Sequence, residues 1–162
     1  MKKIVQRIYL ILSSVALIVM SLSSFGTFVS GTDGKEYDFT STSLVSLADN
    51  SVVSNMPWAI LVLALLGTFI ALFTLFLTFF QNYELQKRLT IFNVLLITGL
   101  LIVYFTFYLS FSNTLDAIAF NACWWVSALP VVALILNVMA FNAIRSSEAA
   151  VLKEATSFRL RD

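Results

Sequence analysis

Histidine is absent from the sequence and cysteine occurs once, as Cys123. Those two facts remove most of the chemistry that a small apolar chain could perform alone. Serine–histidine hydrolysis lacks its general base. One thiol cannot close a disulfide within the chain, so dithiol–disulfide cycling has no second partner. Haem b would lack an axial histidine, and a zinc site would lack a ligand cluster. Aspartyl proteolysis needs two close carboxylates that share a proton, and ion-coupled carriers place an ionisable group in the membrane; the long apolar segments of this chain hold no Asp, Glu, Lys or Arg. Tyr9, Tyr104, Tyr108 and Cys123 are weak acids, poorly matched to proton transfer near neutral pH. No glycine-rich phosphate loop occurs. The inventory predicts a chain that is not an enzyme and that carries no catalytic residue, no metal and no cofactor.

The chemistry that remains is hydrogen bonding and packing. Asn93 and Asn137 are the most polar groups deep within apolar segments, with Asn121 and Asn142 nearer segment ends. Asn93 lies five residues after Arg88 and Asn137 eight before Arg145, which places both about 7–12 Å from basic residues at one end of their helices. An amide without a partner in hydrocarbon is costly. At least one of the two is therefore expected to bond across the third and fourth helices; substrate binding is the alternative role. Ala64, Gly67, Thr68 and Ala71, extended by Thr74 and Thr78, make a small-residue face on the second helix, and Ser13, Ser14, Ser21 and Ser24 a similar one on the first. Such faces let backbones approach closely, either inside the bundle or against another membrane protein. Cys123, beside Trp124 and Trp125, reads as a small packing residue.

The elements that hold these residues follow from the charges. Apolar residues make up 59% of the chain and charged residues 12%, against roughly 45–50% and about 25% in soluble domains. No charge occurs from Ile8 to Thr32, Asn50 to Tyr83, Leu89 to Leu115 or Ala117 to Ile144. Each gap is long enough to cross the roughly 30 Å hydrocarbon core as a helix. The sequence thus predicts a single all-α membrane domain over residues 1–162, with four transmembrane helices at about 8–28, 58–80, 89–111 and 119–144. The first apolar run is longer than that of a cleaved signal and ends in Phe25-Gly26-Thr27-Phe28, so it reads as a retained helix. Pro57 suits a helix start, and Pro130 should kink the fourth span.

Residues 30–57 form the sizeable polar loop. Asp33-Gly34 reads as a type I′ turn, and Lys35 to Phe39 alternate as a half-buried strand would. A small extracytoplasmic β-hairpin between helices one and two is expected. The tail, residues 145–162, repeats Val151, Leu152, Ala155 and Phe158 at helical spacing; it either continues the fourth helix, lies along the membrane surface or is a solvated frayed end. Nine of the ten Lys and Arg residues fall on the side of the two termini and the second connector, and only Lys35 on the other. The positive-inside rule then places both termini in the cytoplasm.

Several stretches together resemble one family: Gln6-Arg7-Ile8-Tyr9-Leu10, Leu85-Gln86-Lys87-Arg88-Leu89 followed by Asn93, Ala143-Ile144-Arg145 with Glu148 and Val151, and Arg159-Leu160-Arg161. They are similar to a small four-span inner-membrane protein family of unknown function from Bacteroidota, over essentially the whole chain. Ser157-Phe158 stand where the family carries an Asp before its final Arg-Leu-Arg. The resemblance implies a bacterial inner-membrane address and no mechanism. The function expected is therefore non-enzymatic: an accessory or scaffold subunit of a membrane complex. The alternative is a carrier or channel for a small uncharged or lipidic solute; a lipid-modifying enzyme is disfavoured by the missing residues. The implied partners are the lipid bilayer and either other membrane proteins or a second copy of the chain. A net charge of +1 gives no reason to expect nucleic acid.

Overall fold

The computed structural model describes residues 2–80 and 82–159, the side chains of 2, 3, 154, 155 and 157–159 excepted. Four helices, α1 (Lys2–Leu22), α2 (Trp58–Leu77), α3 (Tyr83–Thr114) and α4 (Trp124–Arg159), are joined by strands β1 (Ser24–Ser30), β2 (Glu36–Thr40), β3 (Leu44–Ser46), β4 (Val52–Ser54) and β5 (Ala117–Ala122). All four helices contain a segment long and apolar enough to cross a membrane. At 1.5 Å per residue α1 and α2 are about 30 Å long, whereas α3 and α4 reach about 48 and 54 Å, more than the roughly 30 Å thickness of a hydrocarbon core.

The expected all-α architecture with one small hairpin is corrected. The strands form a single five-stranded antiparallel sheet in the order β4-β3-β2-β1-β5. Two of them come from stretches read as transmembrane helix. Residues 24–28 leave α1 and pair as β1 with β2, Phe28 opposite Tyr37. Residues 119–122 belong to β5, which pairs with the other edge of β1, Phe28 opposite Phe120. A short uncharged run fits a buried strand as well as a helix turn, and here tertiary pairing decides. Gly26 allows the switch. Its φ is +148° and a Cβ there would collide with the Asn121 carbonyl oxygen, so a bulge at this point admits only glycine.

Around Asp33-Gly34 the turn is longer than the expected two-residue type. Gly34 N–H donates to the Ser30 carbonyl and Ser30 N–H to that of Lys35; only Gly34 of the pair has positive φ. The connector between α2 and α3 is shorter than expected, because Glu84 to Arg88 already form the first turns of α3. Asn82 caps that helix by accepting from Leu85 N–H. α4 runs unbroken through Pro130 and continues to Arg159, so the described part of the tail is a helical extension. Leu160 and Arg161, the end of the last resemblance motif, lie outside the described residues.

Two cores result. At the sheet end Phe25, Phe28 and Phe39, all fully buried, meet Leu44, Phe111 and Leu115. Phe39 has ring neighbours in Phe25, Phe28, Tyr104 and Phe111 at 5.1, 6.0, 5.9 and 5.6 Å. Among the helices, Ala16, Leu17, Ile97 and Ala133 form the second.

Candidate functional site

The most polar part of the interior lies between the helix core and the end opposite the sheet. Asn93 on α3 donates from Nδ2 to Asn137 Oδ1 on α4 at 2.9 Å. Asn137 in turn donates from Nδ2 to Ser13 Oγ on α1 and, at 2.9 Å, to the Ala133 carbonyl. Asn93 and Asn137 are 1% and 0% exposed, so no solvent competes for these bonds. Three helices are thereby fixed at one level. Asn93 Oδ1 has no hydrogen-bond partner and faces α2, where a Cβ on Gly67 would stand 3.3 Å from it and 3.2 Å from Leu17 Cδ1. The missing side chain at Gly67 is thus what lets α2 close over the amide.

The small-residue face of α2 is internal. Ala64 and Ala71 are 1% exposed, Thr68 is 6% exposed and bonded to the Ala64 carbonyl, and Gly67 is buried. The face is therefore consumed in the bundle and is not free for another protein. On α1, Ser13 enters the amide network, while Ser14 and Ser21 bond their own helix at Ile11 and Ile18. Ser24 belongs to β1 and pairs with Asp38. Cys123 is a free thiol of intermediate exposure, packed on the sheet-end core.

One level further from the sheet lies a second buried pair, which residue-type reasoning missed. Gln6 Nε2 donates to Gln86 Oε1 at 2.8 Å, and Gln86 Nε2 to the Leu77 carbonyl at 2.9 Å; both glutamines are 1% exposed. The second bond gives a second donor to the carbonyl at the end of α2, which also accepts from Phe80 N–H at 3.1 Å. Arg7 donates from Nε to Thr78 Oγ1 at 3.2 Å and stacks over Phe79 at 4.6 Å. Lys87 Nζ lies 2.8 Å from both carboxylate oxygens of Glu148, tying α3 to α4. The available signal was position: Gln6, Gln86, Lys87 and Glu148 all fall in the stretches that carry the resemblance.

Outside the bundle, a cleft of about 390 Å³ opens between α3, β5 and the start of α4. Tyr104, Tyr108, Phe120 and Trp124 line it, and Tyr104 Oη lies 3.1 Å from Ser127 Oγ at its wall. Among the described residues, no group of three or more His, Cys, Asp or Glu is placed to hold a metal.

Residues 4–153 match a family described as a domain of unknown function, DUF4293. The chain belongs to the DUF4293 family. The matched region contains the whole sheet, all the amide pairs and Glu148, and stops short of the last turns of α4. No curated protein matches the chain.

Proposed function

We propose that this DUF4293 chain is a non-enzymatic integral membrane protein of a bacterial inner membrane, serving as an accessory or scaffold subunit of a membrane complex. Both termini lie in the cytoplasm and the sheet sits on the outer face of the membrane. The observation that carries this reading is the interior of the bundle: its polar groups are amides and hydroxyls that bond one another or helix carbonyls, Asn93 Oδ1 excepted, and small residues bring the helices together. Such groups specify a shape and leave little to act on a substrate. The address rests on the four apolar helices and on Arg7, Lys87, Arg88, Arg145 and Lys153 at the end opposite Lys35.

The test is extraction in mild detergent at native expression. The expected result is co-migration with a membrane protein in fixed stoichiometry, together with reporter fusions after Asn50 and at the C-terminus that read opposite sides. A chain that migrates alone and, in liposomes, takes up solute or turns over lipid in a manner abolished by one substitution would overturn it. The lateral cleft beside Tyr104 supports a second reading, a carrier of a lipidic solute. That reading predicts that Ala128→Trp, which fills the cleft, abolishes transfer of a labelled lipid between vesicles without altering the fold.

A further inference from the structure

We propose that the outer groove between α3 and α4, at the end opposite the sheet, binds one anionic phospholipid. Its phosphate would lie on Arg88 and Lys87, and one acyl chain along Ile91, Leu95, Val138 and Phe141. Two hollows meet there. One, of about 330 Å³, is lined by Glu84, Lys87, Arg88, Ile91 and Phe141. The other, of about 180 Å³, is lined by Ile91, Val94, Leu95, Val138 and Phe141. They share Ile91 and Phe141, so the groove runs about 16 Å along α3 from Glu84 to Leu95. Its character changes along that length from charged to wholly apolar, which is the profile of an amphiphile. A soluble phosphate would use only the mouth.

Charge selects the headgroup. Arg88 is 80% exposed, and among the described residues its one carboxylate neighbour, Glu84, stands at 3.9 Å, beyond hydrogen-bond reach. Its guanidinium makes no hydrogen bond to any described residue, which leaves its donors for a phosphate fork. Lys87 is held in place by Glu148 with its charge at the groove wall. Glu84 and Glu148 oppose an anion, and Arg145, one helical turn beyond Phe141 on α4, restores a positive balance. Basic sites between helices at the cytoplasmic side favour anionic lipid, by about 1 kcal/mol per Lys or Arg. The proposal rests on the membrane reading, but it fails separately: reporter topology can hold while the groove proves indifferent to headgroup.

The experiment measures binding of phosphatidylglycerol, phosphatidylcholine and inorganic phosphate to the purified full chain in neutral detergent, by native mass spectrometry and by thermal shift. Phosphatidylglycerol should bind best and raise the melting midpoint, and inorganic phosphate should do neither. Arg88→Gln should weaken phosphatidylglycerol about fivefold, and Arg88→Lys should keep most of the affinity. Leu95→Trp, at a 65% exposed position, should block both lipids by filling the groove. Both altered positions are exposed, so the fold should survive, as the melting midpoint without lipid will show. Equal binding of the two lipids, an unchanged Arg88→Gln variant, or a shift produced by phosphate alone would overturn the proposal.

Discussion

The two ends of the bundle are held by different physics. The sheet end is an aromatic core, in which Phe25, Phe28, Phe39, Tyr104, Phe111 and Phe120 pack ring against ring. The opposite half is joined by amides and a salt bridge: Ser13–Asn137–Asn93, Gln6–Gln86 and Lys87–Glu148. In the membrane setting proposed above, the difference follows from the solvent. Where the sheet stands in water, burying rings is strongly favourable. Where lipid surrounds the helices, apolar side chains gain little by leaving it, and close approach plus polar bonds decide the arrangement. The aromatic end should supply most of the stability, and the amide half should set register.

Substitutions can break or sharpen that contrast. The largest effect is expected from Phe39→Ala, which empties the centre of the ring cluster. It should cost about 3–5 kcal/mol in a denaturant titration and expose the sheet to trypsin at Lys35. Phe69→Ala, at a 67% exposed site, should change stability by less than about 0.5 kcal/mol. Next comes Gly67→Val, which crowds Asn93 and Leu17 and should cost about 1–3 kcal/mol. Gly99→Val, with open space around its Cβ, should stay within about 0.5 kcal/mol, so the pair separates close approach from helix propensity. A double-mutant cycle of Asn93→Leu and Asn137→Leu should return a coupling of about 0.6 kcal/mol, with about 1.7 as the ceiling. A coupling above 3 kcal/mol would reverse the ranking of the two ends.

The smallest effect concerns the exposed pair Lys35–Asp49, at 3.0 Å on the sheet. The hydrogen bond that Lys35 Nζ donates to the Asp49 carboxylate, aided by that carboxylate's charge, raises the Lys35 pKa above 10.5. A raised lysine value means that the contribution is complete below 10.5 and is lost as pH climbs through the higher folded value. Unfolding midpoints of wild type and Asp49→Asn should therefore differ slightly at pH 8 and low salt, and converge above that range or in high salt.

Much of this was visible in the residues, for reasons that differ by region. Charge-free gaps locate the four helices because crossing a bilayer requires length without charge. The depth arithmetic from Arg88 and Arg145 puts Asn93 and Asn137 in the same half of their helices, and the structure joins their amides. Strands β1 and β5 escape the same reading. Ser24–Ser30 and Ala117–Ala122 are uncharged and run on from or into apolar helices, so absence of charge cannot separate them from a span. Only their pairing through Phe28 does. Gln6 and Gln86 were hidden by the opposite camouflage. Each stands among Lys and Arg, in flanks that read as solvated, and only helix packing reveals that their side chains turn inward.

The position of β1 at the centre of the sheet's long pairings has a consequence for synthesis. Its first neighbour, β2, follows within a few residues, so in the membrane setting proposed above that hairpin can close as soon as the loop has crossed. Its other neighbour is β5, nearly ninety residues further along, on the far side of two more helices. Until Ala117 emerges, β1 has one row of peptide groups without a strand to receive it, and Phe28 lacks its cover from Phe120. Pairings this distant form late and slowly. In that setting the sheet would be a checkpoint on insertion: it can be completed only by a chain whose third helix has gone in the right way round, and a chain stalled before that point would present an open edge for quality control to find.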